Sequence, residues 1–280
     1  MSNAAFYVAT HGVTAALYLA LARQVWRSLL VVDGPSPRDG IDRWALPLLA
    51  LAHGALLAAG VFGQGDFRFG FALALSATLW LTVLILWIEG FFVPLRGLQP
   101  LVLPAAAVAL ILPLFFPGGL ISGDRGIGFK LHLLAAILAY SLLTIAALHA
   151  VLMAALDREL HRGAGTLRAE PSPLFRQIPP LLAMERLLFR VIGLGFVLLT
   201  ATVASGLLFS EYLFGTAFRF EHKTVFALAA WVVFAGLLAG RMVFGWRGRV
   251  ALRWTLAGFA MLVLAYVGSR FVLEVVLGRG

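Results

Sequence analysis

The chain contains no cysteine in 280 residues, which excludes disulfides, thiolate metal sites and cysteine nucleophiles together. It is also poor in charge: Asp, Glu, Lys and Arg make up 12%, where a soluble domain carries about a quarter. Acidic residues are the scarcer kind, 13 against 22 Lys and Arg, and no carboxylate pair stands out for acid–base work. There is no hydrolase constellation and no phosphate-cradling glycine loop, so the reading is of a protein that performs no turnover reaction. What is present is apolar: 61% of residues are hydrophobic, too many for a soluble fold. The expectation is an all-α, polytopic membrane helix bundle, one integral membrane domain over residues 1–280, with the lipid bilayer as its first partner.

Eight apolar runs fit this reading: about Ala4 to Ala22, Trp44 to Phe62, Phe69 to Ile88, Pro100 to Phe116, Phe129 to Leu156, Leu187 to Phe209, His222 to Gly240 and Leu252 to Leu277. The formal charge of +9 would suggest nucleic acid in a soluble protein. Here the basic residues lie between apolar runs, where they set orientation, and the basic loops lack the architecture of a nucleic-acid reader. Arg23, Arg27, Arg38 and Arg43 follow the first run; Arg158, Arg162, Arg168 and Arg176 follow the fifth; Arg241, Arg247, Arg249 and Arg253 separate the seventh and eighth. Arg96 adds to that side, while the alternate loops hold only Arg68, then Arg125 and Lys130, then Arg219 and Lys223. By the positive-inside rule the arginine-rich loops are cytoplasmic and both termini are outside, on the periplasmic face. Trp26, Trp44, Trp87, Trp246 and Trp254 fall near the cytoplasmic ends, where an amphipathic ring prefers the headgroup level. The first run has its positive charges after it, as a retained helix does rather than a signal peptide.

The connectors carry further expectations. The stretch from Gly163 to Pro180 reads as the longest cytoplasmic loop, ending in an interfacial helix start. Pro117-Gly118-Gly119 to Gly128 reads as a pliable outer loop. Gly236-Leu-Leu-Ala-Gly240 is a small-xxx-small pattern that would let another helix approach. Tyr140, Ser141, Tyr266 and Ser269 read as interhelical hydrogen-bonding groups, and Met184-Glu185-Arg186 as an anchor at the cytoplasmic interface.

Ionisable groups inside apolar runs cost a few kcal/mol unless paired, so the histidines carry the functional signal. His132 and His222 each open a long apolar helix on the outer side, and two imidazoles at one depth can hold a haem iron from both sides. His11 lies about 10 Å down the first helix and His53 near the midplane of the second. His149 lies roughly 25 Å deeper than His132, and His161 is in the cytoplasmic loop, so neither shares a site with the outer pair. Below His132 one helical face carries Ala135, Ala136 and Ala139, and below His222 it carries Phe226, Ala229 and Ala230, which suits a flat macrocycle. Glu221 is a candidate to orient His222. Arg270, with Arg125, Lys130 and Arg219, is a candidate partner for anionic propionates, although Arg270 also suits a pairing with Glu274 one turn on. Two other readings stay open on these residues: a transporter or channel component that relays protons or a metal ion through the histidines, and an accessory subunit in which they only pack.

The stretches Lys130-Leu-His132-Leu-Leu-Ala-Ala-Ile-Leu-Ala-Tyr140-Ser141, Pro180-Leu-Leu-Ala-Met184-Glu185-Arg186, His222-Lys-Thr-Val-Phe-Ala-Leu-Ala-Ala-Trp231 and Gly245-Trp-Arg-Gly248 resemble the cytochrome c assembly protein family. So does the end, Trp254-Thr-Leu-Ala-Gly258 followed by Ala265-Tyr-Val-Gly-Ser-Arg270. The likeness runs from about residue 71 to 277 and is nearest to an eight-helix branch of bacterial inner-membrane proteins, the YpjD-like branch, related to the CcsA and HemX types. It implies haem handling in cytochrome c biogenesis, with haem b as cofactor and other biogenesis proteins or apocytochrome as partners. It implies that His132 and His222 are the outer axial ligands, that His53 is an inner ligand and that His11 stands beside it. The better-studied haem handlers carry a tryptophan-rich outer loop, and none of the outer loops here has a tryptophan. That departure speaks against delivery of haem to apocytochrome by this chain alone.

Overall fold

A computed structural model describes residues 3–30, 39–62, 67–91, 96–121, 126–163, 181–208 and 222–271. Lipid offers no hydrogen-bond partners to a backbone, so apolar runs of this length close their bonds internally as helices. Eight long helices result: α1 (Asn3–Leu30), α2 (Asp39–Phe62), α3 (Phe71–Glu89), α4 (Gln99–Phe115), α5 (Ile127–Gly163), α6 (Leu181–Leu208), α7 (His222–Phe244) and α8 (Gly248–Val263). Seven of them are long and apolar enough to cross a membrane. α8 counts among them with the turn that continues it to Gly268, whereas α4 has 17 residues, about 25 Å at the helical rise, and a 3-10 turn over Arg96–Leu98 leads into it. Pro100 sits in its first turn, where a missing N–H costs nothing.

The helices form two rings of four. In the first, α1 packs on α2, α2 on α3, α3 on α4 and α4 back on α1; in the second the order is α5, α6, α7, α8 and back to α5. The rings meet where α3 packs on α5. This explains why α3 is the most enclosed helix, with 61% of its apolar window buried against at most 39% for any other candidate span. Its buried face runs from Phe71 to Leu86 and includes Ser76, Thr78 and Thr82. Across the seam the Ser141 hydroxyl lies 3.0 Å from the Thr78 carbonyl, sharing its proton with the Ile137 carbonyl of its own helix at 2.8 Å. Within the second ring the Tyr140 hydroxyl donates to the Leu262 carbonyl at 2.8 Å, an interhelical bond of the kind expected. The Ser269 hydroxyl turns back only to the Ala265 and Tyr266 carbonyls of its own helix among the described residues. After Val263 the last helix widens into a π turn over Leu264–Gly268 and closes with Ser269–Phe271.

Two short strands correct the reading of the outer loops. β1 (Phe67–Phe69) pairs antiparallel with β2 (Gly119–Ile121), with Phe69 opposite Gly119. Phe69 therefore belongs to a strand, and the third helix begins at Phe71 after an extended Gly70. Gly118 is not there for pliability. It has a φ of +76°, and a Cβ on it would stand 2.8 Å from the Gly70 nitrogen and the Phe69 carbonyl carbon. Only glycine allows that crossing of backbones.

At the opposite end α6 begins at Leu181, directly after the expected Pro180 start, while the loop before it lies outside the described residues. Glu185 is buried, and its carboxylate accepts from Arg241 at 2.8 Å with Arg247 at 3.7 Å. Arg241 also donates to the Trp246 carbonyl and lies over the Phe189 ring. Arg249 ties α8 to Asp157 of α5 at 2.9 Å. Of the small-xxx-small glycines, Gly236 admits a ring of the neighbouring α8, as expected of a helix approach, while Gly240 receives a ring from just past the end of its own helix. A Cβ on Gly236 would stand 3.0 Å from Trp254, and one on Gly240 would overlap Trp246.

Candidate functional site

The outer site begins with His132, little more than a turn into α5 and half-buried. Its Nδ1 lies 2.8 Å from the Ser205 hydroxyl near the end of α6. The same oxygen lies 3.1 Å from the Thr202 carbonyl. When the hydroxyl proton goes to that carbonyl, Nδ1 donates to Ser205 and the lone pair falls on Nε2, the form that can coordinate a metal. Gly206 keeps this flank clear, because the only atom that a Cβ there would meet is His132 Cε1, at 3.5 Å. Ala135 and Ala136 below it are half-buried and Ala139 is fully buried.

His222 is the first residue of α7 and is exposed. The ring order places α5 and α7 across from each other, each packed on α6 and α8, so the two histidines stand at one end on facing helices. Trp231 donates to the Thr200 hydroxyl at 2.9 Å, which sets the register of α6 against α7. Counting outward, Ser205 is level with Phe226, and His222 stands about 6 Å beyond that level. Its position leaves it at the mouth and His132 a turn inside. Glu221, Arg125 and Arg219 lie outside the described residues, as does the side chain of Arg270; Lys130 and Lys223 are exposed near this end.

The first ring encloses a second set. His53 of α2 is fully buried, with Nε2 2.9 Å from the Ser76 hydroxyl of α3 and Nδ1 3.4 Å from the Tyr18 hydroxyl of α1. His11 of α1 is 2% exposed, and its Nδ1 donates to the Tyr7 carbonyl at 2.8 Å. Gly54 beside His53 makes room for Trp80, whose indole donates to the Ala50 carbonyl at 2.7 Å and fixes α2 on α3. Inner and outer sets thus occupy different rings on either side of the α3 seam. Sequence reading found the histidines but missed Ser205, Ser76 and Tyr18, whose role follows only from packing across 73, 23 and 35 residues.

His149 stands apart from both sets. It is fully buried in α5, and neither ring nitrogen has a hydrogen-bond partner among the described residues. His161 is exposed and donates to the Asp157 carbonyl. No group of three His, Asp or Glu residues suited to a metal ion occurs among the described residues.

A test of fit for a haem gives a clear answer on donors and on room. Imidazoles are the right ligands, and His132 Nδ1 has a hydroxyl partner of the kind that orients metal-binding histidines. An apolar cleft at the seam, lined by Phe69, Thr78, Ala136, Tyr140 and Tyr266 among others, measures about 80 Å³. Small-molecule sites occupy roughly 300–1,000 Å³, so that cleft is too small for a macrocycle.

The comparisons agree with this layout. The family model of the cytochrome C assembly protein matches residues 43–277. The chain is 33% identical over 180 residues to the inner membrane protein YpjD of Escherichia coli K12, covering 64% of this chain and 65% of that protein. An uncharacterized 28.8 kDa protein of Azospirillum brasilense is 32% identical over 213 residues, 73% of this chain and 76% of that one. The cytochrome c biogenesis protein CcsA of a Synechococcus strain is 31% identical over 131 residues, and the match spans 42% of this chain and 36% of that protein. No solved structure matches. The chain belongs to the cytochrome c assembly protein family, in its YpjD-like branch.

Proposed function

We propose that this protein acts in cytochrome c biogenesis in a bacterial inner membrane by holding haem b at its outer, periplasmic end, with His132 and His222 as axial ligands. The observation that carries the reading is the 2.8 Å contact of His132 Nδ1 with the Ser205 hydroxyl, a partner that can leave Nε2 as the basic nitrogen, beside Gly206. When bound, haem supplies an iron for two nitrogen ligands and an apolar ring for the half-buried alanines and Phe226. His222, exposed at the mouth, is the ligand that can approach from outside and withdraw again, which suits a protein that holds haem and passes it on. Arg270 is the proposed contact for the propionates. His53 and His11 form an inner station, where Ser76 and Tyr18 orient the His53 ring. No step in this account breaks a covalent bond, and acceptors are other biogenesis proteins or an apocytochrome.

The test is the haem content of purified protein measured as the pyridine haemochrome. Wild type is expected to carry about one haem per chain after expression with ample haem, His132→Ala less than about a tenth of that, and His161→Ala the wild-type amount. A haem-free wild type, or full haem in His132→Ala, would overturn the ligand assignment.

A further inference from the structure

We propose that the outward face of α6 is a binding site for a single anionic phospholipid. On this helix Met184, Leu188, Val191, Ile192 and Leu199 are buried and define the inner face. The opposite face is a stripe at helical spacing: Leu182, Arg186, Arg190, Leu194, Val197 and Ala201, all exposed. Two arginines therefore occupy one end of a lipid-facing stripe and aliphatic side chains the rest. Gly193 adds a shallow dip beside them, since a Cβ there would meet nothing within 4 Å.

Among the described residues the charges on this stripe have no ion-pair partner. Glu185, the adjacent carboxylate, lies on the buried side and is engaged by Arg241 and Arg247. Neither Arg186 nor Arg190 makes an ion pair among the described residues, and Arg186 has only a long bond, 3.4 Å, to the Leu182 carbonyl. Arg190 lies about 7.5 Å further into the membrane than Glu185, a depth at which an uncompensated cation facing lipid is costly. Helical side chains lean toward the helix start, so Arg190 can reach back toward Arg186 and the helix end where headgroups lie. Two like charges one turn apart repel, and a phosphate between them reverses the sign of that interaction. Guanidinium groups match phosphate oxygens in pairs, and a headgroup with net negative charge leaves no ammonium to compete. From Arg190 to Ala201 the stripe runs about 16 Å, room for the upper part of an acyl chain along Leu194 and Val197.

This inference is independent of haem. It is tested by native mass spectrometry of the full chain from nanodiscs of equal phosphatidylglycerol and phosphatidylcholine, followed by stepwise delipidation. Wild type is expected to keep one phosphatidylglycerol, at least tenfold over phosphatidylcholine, and Arg186→Gln/Arg190→Gln to lose that retention by tenfold or more. Both positions are exposed, so an unchanged melting temperature should accompany the loss. Equal retention of the two lipids by wild type, a comparison that needs no variant, would overturn the proposal. So would undiminished phosphatidylglycerol in the double variant.

Discussion

At the scale of single residues, a hydrogen bond decides what each histidine can do. Ser205 is proposed as a positioning residue through its 2.8 Å contact with His132 Nδ1. Replacing it with Ala should weaken haem affinity on the order of 10-fold, the effect typical of removing such a partner, while leaving the helix intact. Titration of the purified protein with haemin measures it, and an unchanged affinity would mean that the bond does not set the ring. His149 presents the converse. Its two nitrogens are buried without partners, and each such group costs about 1–3 kcal/mol. His149→Leu is therefore expected to raise the melting temperature without loss of bound haem; a large fall in haem content would give His149 a role that its position does not suggest. The histidines were legible in the sequence because ionisable residues in apolar runs are rare. Their partners were not, because a serine 73 residues away has no signature until helices pack.

At the scale of elements, the helices were readable from length and hydropathy, and their order of packing was not. Periodicity gives each helix a face but does not say that α3 is the seam, or that α5 and α7 face each other across a ring. The strands were invisible for another reason: three residues each are too few to show alternation. Glycine roles were only partly legible. Gly118 permits a backbone crossing, Gly236 admits Trp254 of the neighbouring α8, and Gly240 receives Trp246 from just past its own helix. Gly240→Ala should therefore destabilise the monomer by about 1–3 kcal/mol, the usual cost of forcing a side chain into a packed contact. Thermal melting in detergent reads that effect. A variant with unchanged melting but altered association would instead restore the reading of these glycines as a docking face for another subunit.

At the scale of the whole molecule, two four-helix rings joined at α3 separate an enclosed polar set around His53 from an open set around His132 and His222. Such a division suits storage in one place and exchange in another. Glu185 and its arginines tie α6 to the end of α7 and the start of α8, so the second ring is fastened at the end away from its histidines. Family membership gives this architecture its setting in cytochrome c assembly, and the imidazole chemistry supplies the role proposed for it. The most direct test is the absorption spectrum of detergent-purified protein, oxidised and reduced, beside His132→Ala and His222→Ala. The account predicts a low-spin Soret and α-band spectrum in wild type that collapses in both variants. A wild type that stays colourless after haem titration, or variants that keep the same low-spin spectrum, would contradict it.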